Sequence, residues 1–136
     1  MRLRLRVQAF VSTSTAEEND VANVDRGLVS DDFQEGGAVR VRVAGGATDL
    51  AVALPAVANA GFVLIRTEAV DDTLAPVALE VKLNDPSADA ITITPAGTDR
   101  RGFFLVTTEG VSAIYLTNPS PTVAMYAHVV SVGDAL

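Results

Sequence analysis

The chain has 136 residues, no cysteine, a formal charge of −7, and 49% hydrophobic residues of which few are aromatic (5% overall). That is enough chain for one domain, and the lack of cysteine excludes disulfides, thiolate catalysis and cysteine-ligated metals. The acidic balance argues against nucleic-acid partners, which need a basic footprint, and no apolar run reaches the roughly 18 residues of a membrane-spanning helix.

The first segment, Arg2 to Val11, alternates Leu3, Leu5, Val7 and Ala9 with Arg2, Arg4, Arg6 and Gln8. Period-two alternation predicts a half-buried strand. It also argues against a signal peptide, which needs a continuous apolar stretch. The row of three arginines has two readings. One is a solvated edge that blocks edge-to-edge aggregation; the other is a docking surface for an acidic neighbour. Residues 12–37 then carry Glu17, Glu18, Asp20, Asp25, Asp31, Asp32 and Glu35 against Arg26 alone, whereas the remainder carries ten acidic and nine basic residues. The acidity therefore belongs to one segment, read as a long loop or arm with a short helical turn over 20–28. Loops longer than about 12–15 residues are usually functional or disordered. Phe33, with Val21, Val24 and Leu28, is its candidate anchor.

Strands are predicted over Ala38–Ala44, Thr48–Leu54, Gly61–Ala69 and Pro76–Leu83, each alternating or apolar and each ended by Gly, Pro, Asn or Asp. Gly45-Gly46 reads as a hairpin turn and Ala56–Ala60 as a small-residue connector. The last third, Ile91 to Val132, reads as four short strands separated by Thr94-Pro95-Ala96-Gly97, Thr108-Glu109-Gly110 and Asn118-Pro119-Ser120-Pro121; all three are read as hairpin turns. These closing strands are apolar on both faces, whereas a half-exposed antiparallel strand alternates apolar with polar. One face belongs to the chain's own core and the other is expected against a neighbouring subunit. About eight or nine strands with turn signals and no long helix predict an all-β fold, an antiparallel β-sandwich of jelly-roll type in a single domain.

No chemistry-bearing constellation appears. His128 is the sole histidine and lies mid-strand among apolar residues. A Ser-His-Asp triad would need it, but no G-x-S-x-G elbow is present, and one histidine without cysteine does not make a typical zinc site. Gly45-Gly46 lacks the Gly-Lys-Ser/Thr of a phosphate loop. Nothing fixes the spacing of the acidic segment's carboxylates, as a glycosidase would require. Asp31, Asp32 and Glu35 are hard oxygen ligands for calcium but do not match EF-hand spacing. No catalytic residue, metal or cofactor is expected; His128 is read as structural, in the core or at an interface.

From Gly61 to Gly133 the chain, with VALEVKLNDPSADAITITPAG followed by GFFLVTTEGVSAIYLTNPSPTVAMYAHVVSVG, resembles small β-sandwich structural proteins of tailed bacteriophages, head decoration (cement) proteins among them. The resemblance implies a non-enzymatic virion protein, a homo-oligomer with a trimer favoured, bound to the major capsid protein or another virion protein. Interface candidates are Arg2, Arg4, Arg6, Phe33, Tyr115, Tyr126 and His128. The alternative is a tail- or fibre-associated module binding a carbohydrate or receptor.

Overall fold

The computed structural model describes residues 3–12, 20–30, 35–54, 57–95 and 100–135, which fall into two compact units, Met1–Phe33 and Gln34–Leu136. The first unit is an antiparallel hairpin of β1 (Leu3–Ser12) and β2 (Asp20–Ser30). Its register sets Leu5 opposite Leu28, Ala9 opposite Val24 and Gln8 opposite Asp25. The expected loop over 12–37 is therefore corrected. Asp20–Ser30 is a strand, not a loop with a helical turn, and Glu35 already belongs to the next strand. The charges obscured it: acids interrupt Val21, Val24 and Leu28, yet pairing with β1 supplies the hydrogen bonds that alternation alone does not advertise.

The second unit contains β3 (Glu35–Val43), β4 (Leu50–Val52), β5 (Val57–Ala69), β6 (Leu79–Leu83), β7 (Ile91–Ile93), β8 (Gly102–Val111), β9 (Ile114–Thr117) and β10 (Met125–Ala135). They form two four-stranded sheets, β3-β10-β5-β8 and β4-β9-β6-β7. The pairs β3·β10, β4·β9, β5·β8 and β6·β7 are those of one long ribbon folded in half at the β6–β7 turn, all antiparallel. Rolling that ribbon adds β10·β5 and β6·β9 and divides the strands between two sheets. This is the jelly roll, and the all-β sandwich expected from the strand pattern is the fold.

One core joins the sheets. Val43, Ile65, Val63, Met125, Ala127 and Val129 come from one sheet; Leu79, Val81, Ile93, Ile114 and Leu116 come from the other. Both sets consist of alternate residues, as period two requires.

The rolled topology corrects four local expectations. Gly45-Gly46, Thr108-Glu109-Gly110 and Asn118–Pro121 are not hairpin turns, because β3–β4, β8–β9 and β9–β10 each join opposite sheets, and neither is the turn expected at Thr94–Gly97, of which Thr94 and Pro95 are described, because β7–β8 does the same. Turn residues announce a change of direction; burial of the flanking side chains decides whether the next strand pairs alongside or crosses the core. Gly110, at φ +85°, lies inside β8 just before the buried Val111. Residues 57–60 of the expected connector are the start of β5, with Val57 and Ala60 buried. Strand β10 passes close to them: a Cβ on Gly133 would stand 2.0 Å from the Asn59 carbonyl oxygen.

Candidate outer-sheet site

The β3-β10-β5-β8 sheet turns its inner side chains to the core, and its other face carries the polar residues that sequence reasoning left scattered. Register sets Arg40 and Arg66 on either side of His128, and Phe103 beyond Arg66. The next row is Arg42, Tyr126 and Glu68. On the other side lie Ala38, Val130, Leu64 and Leu105. One end of the face is thus charged and the other apolar.

Glu68 is the hub of the charged end. Its Oε1 accepts from His128 Nε2 at 2.9 Å; Arg101 Nε stands 3.5 Å and Arg66 3.9 Å from Oε2. The hydrogen bond from His128 holds the Glu68 carboxyl below its ordinary value. Partial desolvation opposes it, and electrostatic attraction by His128, Arg66 and Arg101 lowers the carboxyl further. An ionised carboxylate only accepts, so Nε2 carries the proton in this pair. Beside it Arg40 lies flat over Tyr126, its guanidinium carbon 3.6 Å from the ring centroid. The Tyr126 and His128 rings sit 6.5 Å apart.

Two depressions flank this cluster. One, of about 520 Å³, lies between Arg40, Tyr126 and Glu68 and the loop residues Asp72, Pro76, Arg100 and Arg101. Arg100 is held to that loop by donating to the carbonyls of Asp72 and Leu74. The other, of about 530 Å³, runs between Arg40, Arg66, His128, Phe103, Leu64 and Val130. Phe103, which lines it, is 59% exposed, and Leu105, two residues on in β8, 40%. These are the outward residues of β8, whose inward neighbours Phe104 and Val106 pack on the core.

Of the residues singled out from sequence, Tyr126 and His128 come together here. Tyr115 does not: it lies on β9 opposite Ala51 and Lys82, between the inward-facing Ile114 and Leu116, on the outside of the other sheet. Arg2 and Phe33 fall outside the described residues, as do Asp31 and Asp32 of the calcium reading. Arg4 and Arg6 are placed on β1 opposite Val29 and Gly27. Arg40, Arg66, Glu68, Arg101 and Phe103 were missed as a group. The signal available was the period-two spacing of Arg40 and Arg42 and of Arg66 and Glu68; which strands adjoin is not written in it.

Among the described residues no three His, Cys, Asp or Glu side chains come together as a metal-binding group. No protein-family description matches the chain, and comparison with curated proteins returns no match. Among solved structures the Schizosaccharomyces pombe Cnp3 cupin domain is similar at 14% identity and a TM-score of 0.40, over 95% of this chain and 83% of that one. At that score and identity the likeness carries no functional weight.

Proposed function

We propose that this chain is a non-catalytic assembly module whose β3-β10-β5-β8 sheet packs its outer face on a second copy. The observation that carries the reading is the exposure of Phe103 and Leu105 side by side on one strand, continuous with half-buried Leu64 and Val130. Contiguous exposed apolar surface on a soluble chain marks an interaction site. The size is adequate: strands of about ten residues and a width of four strands give a face of roughly 33 by 19 Å. That is comparable to the approximately 800 Å² per partner of a standard interface. A second copy also brings counter-charge for the arginines of this face, since residues 12–37 hold seven acidic residues and one basic.

The setting follows the sequence resemblance: a phage particle, with the chain decorating the head as a homo-oligomer, a trimer favoured, and a capsid protein as its further partner. A photo-crosslinking residue at position 103 tests the interface. Irradiation is expected to give a covalent species of twice the protomer mass. A label that reacts only with solvent would refute the reading.

The runner-up is a ligand-binding module of the tail or fibre type. It is favoured by one feature, the exposed Phe103 ring at the edge of a depression that also holds Arg40, Arg66 and His128. An aromatic platform beside convergent polar groups suits a sugar. A glycan array with hits abolished by Phe103→Ala would put this reading first.

A further inference from the structure

The arrangement of basic residues in the body of the molecule is uneven. Six of the chain's ten Lys and Arg residues lie beyond residue 33, and of these only Lys82 is committed to the opposite sheet, where it pairs with Asp49 at 2.8 Å. Three of the other five, Arg40, Arg100 and Arg101, converge on the 520 Å³ depression together with the Tyr126 ring. Glu68 and Asp72 are the acidic residues at its wall. Glu68 is already engaged, by His128 at 2.9 Å and Arg101 at 3.5 Å. An overall acidic protein thus gathers cations around one concavity.

The state of Arg40 is the second observation. Its guanidinium stacks on Tyr126 at 3.6 Å and, among the described residues, makes neither an ion pair nor a hydrogen bond. Stacking spends the face of the guanidinium and leaves its edge, where the N–H donors lie in a rigid fork. A fork held in one orientation before a ligand arrives loses little freedom when it binds. Arg100 is fixed differently, its Nη1 and Nη2 donating to the carbonyls of Asp72 and Leu74, so it adds positive charge to the depression while Arg40 supplies the open donors.

We infer that the depression between Arg40, Tyr126, Arg100 and Arg101 is an oxyanion site that receives a carboxylate or phosphate group, with the Arg40 fork as its principal donor. The inference shares the arginines of this face with the assembly reading, but it is carried by the setting of Arg40 on Tyr126 and not by the exposed Phe103 and Leu105. The geometry matches planar bidentate recognition, which arginine performs and lysine does not.

The test is an amide and guanidinium NMR titration of the full chain at low chloride, with inorganic phosphate in one arm and N-acetylglutamate in the other. Saturable shifts at Arg40 and Tyr126 are expected in at least one arm, and the arm saturating at lower concentration names the source of the oxyanion. Arg40→Lys preserves charge but removes the fork; it is expected to weaken binding about tenfold or more. Arg42→Gln removes an exposed cation outside the depression and is expected to leave binding within about twofold, as a screened surface charge does. Circular dichroism checks that both variants fold. The inference is overturned if neither ligand saturates, if Arg40→Lys binds like the parent, or if Arg42→Gln loses as much as Arg40→Lys.

Discussion

Replacing Asn118 with alanine should destabilise the jelly roll far more than a loop substitution normally does. Asn118 follows β9 where the chain crosses to β10, and it is buried at 1% exposure. Its Nδ2 donates to the Val123 carbonyl at 2.8 Å and, more weakly, to the Val43 carbonyl at 3.3 Å. Its Oδ1 accepts from Ser120 N–H at 3.1 Å. The backbone adds Asn118 N–H to Ala47 O at 2.8 Å and Gly46 N–H to Ser120 O at 2.7 Å. One side chain therefore ties the β9–β10 crossing to the end of β3. Truncation leaves two carbonyls and an amide without it. At about 1–3 kcal/mol for each buried group left unpaired, discounted for the long bond to Val43 and the half-buried Ser120 and Val123, the loss is about 2–4 kcal/mol. Urea unfolding checks this, with the midpoint shifted and the slope unchanged. Asn118→Asp supplies a second signature. The introduced carboxylate would face two carbonyl oxygens, so its folded pKa rises above the unfolded value. That variant should gain stability as pH falls, because only the protonated acid donates to them. A loss below about 0.5 kcal/mol in Asn118→Ala, or an Asn118→Asp variant that weakens on acidification as the parent does, would refute the reasoning.

Other consequences follow from the same structure. Phe103→Ser with Leu105→Ser should cost about 1 kcal/mol or less in urea, since Phe103 is 59% and Leu105 40% exposed. Self-association should weaken, since burying the exposed part of Phe103, roughly 100 Å², is worth about 2–3 kcal/mol at 25 cal/mol per Å²; sedimentation equilibrium reads the change as about 30- to 150-fold in affinity. The lowered Glu68 pKa means that its ionised form stabilises the fold. That contribution is present above its ordinary value of 4.5 and lost as pH falls through the lower folded value. Glu68→Gln should therefore cost stability at neutral pH, with the gap to the parent closing on acidification below 4.5 in a series of urea midpoints. Gly133→Ala drives a Cβ against the Asn59 carbonyl at 2.0 Å, backbone that cannot swing aside. Thermal melting should show a loss of about 2 kcal/mol or more.

Outside Asp20–Ser30 and the first residues of β5, strand positions and faces were legible in the sequence because alternation is a local property. Met125, Ala127 and Val129 point inward and Tyr126, His128 and Val130 outward, as their spacing requires. The two apolar faces of Phe103–Val106 divide in the structure: Phe104 and Val106 pack on the core, and Phe103 and Leu105 are exposed. Pairing was not legible. Nothing local distinguishes Asn118-Pro119-Ser120-Pro121 as a sheet-to-sheet crossing from a hairpin; the difference lies in Asn118 reaching Val43, 75 positions away. The site was hidden for the same reason. Arg40, Glu68 and His128 come from three strands and Arg101 from the loop before β8, and only the rolled ribbon brings them together. Tyr115 and Tyr126 looked equivalent in sequence, and the division of β9 and β10 between sheets separates them.

An assembly module of this kind must have the outer face of its β3-β10-β5-β8 sheet covered by another copy in solution. Sedimentation equilibrium of the unmodified chain, followed from about 1 μM to about 500 μM, measures this over the range where such interfaces associate. The predicted result is an average mass that climbs above the 14.1 kDa protomer and falls back when Phe103 and Leu105 are replaced by serine. A constant mass of 14.1 kDa over the whole range would contradict it.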